Sequence, residues 1–308
     1  MHREQIQLQS GVNKSLYARM VQLYVNMLGA DARNEIEMKL GCSVLELIQA
    51  AYFLAVVSKI PSRNLVVIDS DAIDLYKKSN FKDSGLESIL AQFSDTAEGL
   101  GGAYLGRLAS VKSKEYSRSL KPMLLEKPVV DLGHGKYVAP VPYALAYALN
   151  WKLGDYVRSE EIVDSYSASF AKYVEGVVAE AGPASVARPD TENAGSRRCD
   201  LRADFASYEL LIECKATRFT RNFISPDSIR DDNSTGKIGS ACEQLAGSVT
   251  NMGNVCAVVV DDELPVPNSD WFWDRIYERD PNVANFVTIW GSALRCGVWR
   301  CWKALWKL

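Results

Sequence analysis

Between residues 14 and 58, apolar side chains recur at helical spacing, first Leu16, Met20, Leu23 and Met27, then Leu45, Ile48, Tyr52 and Val56. The pattern predicts two amphipathic helices. Ser43 with Glu46 forms a capping-box signature before the second run, and Pro61 closes it. Residues 65–68 are a short β-branched segment, and Ser84 with Glu87 marks a further helix start. Gly99, Gly101, Gly102 and Gly106 have the look of a phosphate loop, but no Lys-Ser/Thr follows and no buried strand precedes them. A loop or a close helix contact is therefore expected there. Residues 127–140 predict a hairpin: Pro128-Val129-Val130, a Gly133-His134-Gly135 turn, then Tyr137-Val138-Ala139, with His134 a surface residue on the turn.

Helical spacing returns over residues 167–181, where Phe170, Tyr173, Val174, Val177 and Val178 share a face, and Gly182-Pro183 ends the run. The polar stretch 188–198 reads as a loop. The period then changes to two. Leu201, Ala203 and Phe205 alternate with Asp200, Arg202 and Asp204, while Leu210 and Ile212 alternate with Leu211, Glu213 and Lys215. This predicts strand, tight turn near Ser207, strand. A polar loop at 225–236, a helix near 238–249 and a nearly all-apolar strand at 255–260, of the kind buried on both faces, follow. The expected organisation is a mainly helical N-terminal domain over 1–160, with the small hairpin near 127–140, and an α/β domain over 161–308. No internal repeat is present.

With 308 residues, 47% of them hydrophobic, the chain has enough apolar mass for two lobes. Its formal net charge of −3 and pI near 5.6 exclude a global basic footprint, so any contact with a polyanion must be local. Seven cysteines form an odd set without a CxxC pair, and His2 and His134 are the only histidines. Neither a disulfide framework nor structural zinc is expected. The opening Met-His-Arg-Glu-Gln lacks the apolar stretch of a secretion signal, which predicts reduced thiols and a cytoplasmic location. The apolar run 45–57 contains Glu46 and Gln49 and is too short to cross roughly 30 Å of hydrocarbon, so no membrane span is expected.

In the hairpin, side chains two apart share a face, so Asp200, Arg202 and Asp204 lie together, as do Leu211, Glu213 and Lys215. A turn centred on Ala206 and Ser207 sets position 213 opposite about 200, and Asp200 and Glu213 then converge on one ion. Mg²⁺ favours octahedral oxygen ligands and takes one or two carboxylates, leaving its other positions to water and phosphate. The backbone carbonyl of Cys214 adds a third oxygen, its side chain turning to the packed face. Lys215 returns to the metal face, where it either helps deprotonate an attacking water or stabilises charge developing on phosphate.

Asp200 followed by Leu210-Leu211-Ile212-Glu213-Cys214-Lys215, with the acid thirteen positions before the glutamate, resembles the PD-(D/E)XK nuclease superfamily. The resemblance spans 170–244 and continues into the strand at 255–260. It implies a restriction-endonuclease-like core, a mixed central sheet flanked by helices. It also implies Asp200 and Glu213 as metal ligands, Lys215 as catalytic lysine, and Mg²⁺ as cofactor with Mn²⁺ able to substitute. Gln244, in Ser240-Ala241-Cys242-Glu243-Gln244-Leu245, matches a glutamine that contacts the nucleophile or the nucleic-acid backbone. Two departures leave alternatives open. Cys199 stands where proline usually precedes the first acid, and Ala203-Asp204-Phe205 offers a second acid nine positions before Glu213. In the preceding helix, Phe170-Ala171-Lys172-Tyr173-Val174 has alanine where glutamate is common. Glu175, four residues on and on the same helical face, is an outer-shell ligand, a ligand of a second metal or a solvated surface residue.

By this resemblance the chain is expected to be a DNA endonuclease of bacterial anti-phage or foreign-DNA defence, the 127–140 hairpin and the helix after it resembling what precedes the core in phage-defence nucleases. The alternatives are a ribonuclease of the same fold and a non-cleaving nucleic-acid-binding or sensor protein. Between residues 195 and 237, eight basic side chains face seven acids, two of which a metal would neutralise. That leaves a local positive rim, with Arg197, Arg198, Arg218, Arg221 and Lys237 as candidate phosphate contacts. Trp271, Trp273, Trp290, Trp299, Trp302 and Trp306 crowd the C-terminal part. They are expected to pack a terminal element or meet a partner. This Trp-rich C-terminus and the N-terminal lobe are the surfaces expected to join a second copy in a homo-oligomer or a partner protein.

Overall fold

Local capping chemistry sets the helices of the N-terminal part. The computed structural model describes residues 14–58, 67–79, 81–110, 126–157, 159–188, 199–216, 240–241, 244–245, 255–261 and 287–290. Helix α1 (Lys14–Met20) passes into a wider π-helical stretch (Val21–Met27), closed by the Leu28 N–H donating to Leu23 O at 2.9 Å. Helix α2 (Ala30–Leu40) stops at Gly41, whose φ of 71° is the left-handed cap that ends helices. Helix α3 (Val44–Val57) opens on the complete capping box, Ser43 Oγ accepting the Glu46 N–H and Glu46 Oε2 accepting the Ser43 N–H. Its residues Val44, Leu47, Ala50, Ala51, Leu54 and Ala55 are fully buried.

Helix α4 (Ser70–Lys78) is capped by Asp69, and helix α5 (Asp83–Phe93) follows. The expected Ser84–Glu87 cap does not form. Instead, Ser84 Oγ donates to Glu46 Oε2 at 3.0 Å, and Lys82 Nζ reaches Glu46 Oε1 at 2.8 Å. The Glu46 carboxylate thus ties the start of α5 to the start of α3. The two helices approach so closely there that a Cβ on Gly85 would stand 2.5 Å from Glu46 O.

The four glycines expected in a loop or a close helix contact lie inside helix α6 (Ala97–Ser110). Thr96 is the reason: its hydroxyl accepts the Gly99 N–H at 2.9 Å and starts the helix over a glycine-rich segment. Strand β1 (Ser94–Thr96) runs parallel to β2 (Val129–Gly133), which pairs antiparallel with β3 (Lys136–Val138). The hairpin turn has positive φ at both His134 (53°) and Gly135 (69°), the twist that matches paired strands, and His134 is exposed. Ile68 extends this sheet by two hydrogen bonds with Tyr137. Helix α7 (Pro142–Val157) follows.

The chain divides into two compact units, Met1–Val163 and Asp164–Leu308, with the division inside the first turn of helix α8 (Glu160–Glu180). Helix α8 begins seven residues before the predicted start at 167. It buries Tyr166, Phe170 and Val174, and ends at Gly182 with φ 77°. The second unit is built on a five-stranded sheet in the order β4 (Ser185–Ala187), β5 (Leu201–Asp204), β6 (Glu209–Lys215), β7 (Val255–Asp261), β8 (Val287–Trp290). The first three strands pair antiparallel and the last three parallel, so the sheet is mixed and the fold is α/β. Strands β4 and β8 were not anticipated, and Trp290 ends β8. Among the described residues, no single helix is long and apolar enough to cross a membrane.

Candidate metal centre

The two faces of the β5–β6 hairpin have opposite character. Leu201, Ala203, Leu210 and Ile212 make one face wholly apolar; Asp200, Arg202, Asp204, Glu209, Leu211, Glu213 and Lys215 alternate onto the other, where Leu211 and Glu213 are nonetheless buried. The pairing Leu201↔Ile212 through Asp204↔Glu209 centres the turn on Ala206 and Ser207. One step beyond the ladder, Asp200 stands opposite Glu213.

Because β5 begins at Leu201, the edge of β6 beyond Ile212 has lost its strand partner. Asp200 fills the gap with its side chain, Oδ2 accepting the Cys214 N–H at 2.7 Å. A residue's N–H and C=O leave a strand on the same edge, so the Cys214 carbonyl faces the same side as Asp200. The Cys214 thiol is pushed far above its ordinary range by burial, with the Asp200 and Glu213 charges adding to the effect.

Asp204, the competing acid, is placed elsewhere. It pairs with Glu209, accepts from Ser185 Oγ at 2.5 Å and lies 3.8 Å from Arg202 Nε. Four residues of strand, roughly 13 Å, separate it from Asp200. Register therefore brings Asp200, not Asp204, to Glu213.

Glu213 is only 2% exposed. Lys215 Nζ donates to its Oε1 at 2.5 Å and to Gln244 Oε1 at 3.2 Å. Gln244 is presented by a helical turn whose Ala241 and Leu245 are fully buried. Glu213 Oε2 is buried without a hydrogen-bond partner among the described residues. Burial pushes the Glu213 carboxyl above the ordinary glutamate range, and the Asp200 charge acts in the same direction; the Lys215 ammonium and the Asp200 amide oppose both. A buried, unpartnered carboxylate oxygen beside a second carboxylate and a backbone carbonyl suits a hard divalent cation. No group of three or more His, Cys, Asp and Glu side chains converges among the described residues. Mg²⁺ needs no more than two carboxylates.

Glu175 is engaged in an ion pair of its own. Its Oε2 accepts from Arg188 Nε at 3.0 Å and Nη2 at 2.8 Å in an exposed ion pair, and no contact brings it to Glu213. Sequence spacing did not reveal Arg188, because its partner lies thirteen residues away across the α8–β4 connection. Arg202, on the site face, pairs with Glu209. Arg197, Arg198, Arg218, Arg221 and Lys237 lie outside the described residues, as do the C-terminal tryptophans other than Trp290. Strand β7 reaches one residue past its predicted end, and that residue, Asp261, stands in register with Lys215. No protein-family model, curated protein or solved structure matches the chain.

Proposed function

We propose that this chain is a Mg²⁺-dependent nuclease with a restriction-endonuclease-like core, cleaving phosphodiester bonds of DNA. One observation carries the reading: the buried Glu213 carboxylate, one oxygen unpartnered, stands opposite Asp200 and is bridged by Lys215 to Gln244. Asp200, Glu213 and the Cys214 carbonyl would hold the ion. When bound, Mg²⁺ (or Mn²⁺) supplies positive charge that polarises the phosphate and acidifies water. Lys215 carries a proton and up to three hydrogen-bond donors to the non-bridging oxygens where negative charge accumulates. Gln244 orients Lys215 by accepting from its Nζ. By the same resemblance, the biological setting is defence against phage or foreign DNA.

The test incubates the full-length protein with plasmid DNA, single-stranded DNA and RNA, in Mg²⁺, Mn²⁺ or EDTA. Asp200→Ala and Lys215→Ala should lose about 10²-fold or more in rate, and Asp204→Ala should keep most of it. Cleavage that persists in EDTA, or at full rate in either of the first two variants, refutes the mechanism. Cleavage of RNA alone would make the chain a ribonuclease, and binding without cleavage a sensor.

A further inference from the structure

The centre holds a cation of its own. Glu213 and Lys215 are two residues apart on β6, so both side chains rise from the same face, and their contact is built into the strand. An ionised carboxylate only 2% exposed is costly without a counter-charge. Among the described residues, Lys215 is the cation that touches it. The ammonium is held rather than loosely screened: its side chain is 22% exposed, and Gln244 Oε1 receives a second of its donors.

Resting on the metal-centre reading, we propose that Lys215 is the resident placeholder for the divalent cation: its ammonium competes with the metal for Glu213, and loading the metal releases it toward substrate. A divalent ion at Glu213 Oε2 supplies the counter-charge that the ammonium supplied, and it repels that ammonium at close range. The apo centre is thereby charge-balanced without metal. The lysine becomes available only once the ion is present.

The test measures cation affinity, with no nucleic acid present. Mn²⁺ is titrated into full-length wild type, Lys215→Met and Arg202→Met, with free Mn²⁺ read by electron paramagnetic resonance. Losing a charge-assisted hydrogen bond to Glu213 should tighten Mn²⁺ binding about tenfold in Lys215→Met. Arg202→Met, which removes the same charge from the same sheet face without touching Glu213, should change affinity far less. A second measurement uses wild type alone: Mg²⁺ should speed acylation of the Lys215 amine, read by peptide mass spectrometry. Equal or weaker binding by a folded Lys215→Met, equal tightening by Arg202→Met, or unchanged acylation with metal bound overturns the competition. If neither wild type nor Lys215→Met binds Mn²⁺, the metal-centre reading itself falls, and the competition with it.

Discussion

Glu213→Gln should make the metal-free protein more stable at neutral pH while abolishing its response to metal. Glutamine keeps an amide oxygen for Lys215 but never ionises. In the wild type, burial holds the Glu213 carboxyl above the ordinary glutamate range, which an unfolded chain would show. As pH rises from that range to the folded value, the unfolded state gives up a proton that the folded state retains, so stability falls. The penalty is absent below the ordinary range and complete above the folded value. An ionised carboxylate buried at this position costs several kcal/mol, a neutral amide whose NH2 still lacks a partner keeps about 1–3 kcal/mol of that cost, and weakening the Lys215 bond from charge-assisted to neutral takes back about 1 kcal/mol. The net gain of about 1 kcal/mol corresponds to roughly 2–4 °C in Tm. Mg²⁺ at about ten times Kd should add about 1.4 kcal/mol to the wild type and nothing to the variant. Scanning calorimetry near pH 4 and pH 7.5, in EDTA and in Mg²⁺, reads all four conditions. A variant less stable than wild type near pH 7.5 in EDTA, or one that still gains Tm with Mg²⁺, would refute the reasoning.

Other outcomes follow from the same geometry. Burial works against the Glu46 charge, but the Lys82 ammonium, the Ser43 amide and the Ser84 and Ser43 hydroxyls outweigh it and hold its pKa at about 2. Its stabilisation is present above the ordinary glutamate range and is lost as pH falls toward 2. Urea unfolding should show wild type surrendering up to about 3 kcal/mol over that interval, with Glu46→Gln nearly flat. A Cβ at Gly85 would meet the Glu46 carbonyl at 2.5 Å, so Gly85→Ala should cost about 1–3 kcal/mol in the same assay, and a neutral result would mean α3 and α5 can separate freely. The exposed Glu175–Arg188 pair is structural: Glu175→Gln should change stability by at most about 1 kcal/mol and leave cleavage unaltered, whereas loss of cleavage would restore it as a ligand.

What the amino-acid order determines by itself is local. The Ser43–Glu46 box, the Gly133-His134-Gly135 turn and the strand alternation on either side of Ser207 were all legible, because each rests on backbone chemistry within a few residues. The first turns of α8 were missed: Glu160, Glu161 and Asp164 dilute its apolar stripe. Strands of three or four residues, β4 and β8, are too short to show a period. Ser84 looked like a cap until Glu46, thirty-eight residues away, claimed its hydroxyl. At the site, residue types and spacing named Asp200, Glu213 and Lys215, the family resemblance added Gln244, and Asp204 was left open as the partner acid. Strand register decided that, because one more ladder step meets Glu213 from Asp200 and not from Asp204. Only the tertiary structure decided that Glu213 is buried with an unpartnered oxygen and that Lys215 spans Glu213 and Gln244. Both depend on β6 lying third in a five-stranded sheet beside a distant helical turn, and burial is a property of everything that packs around a side chain.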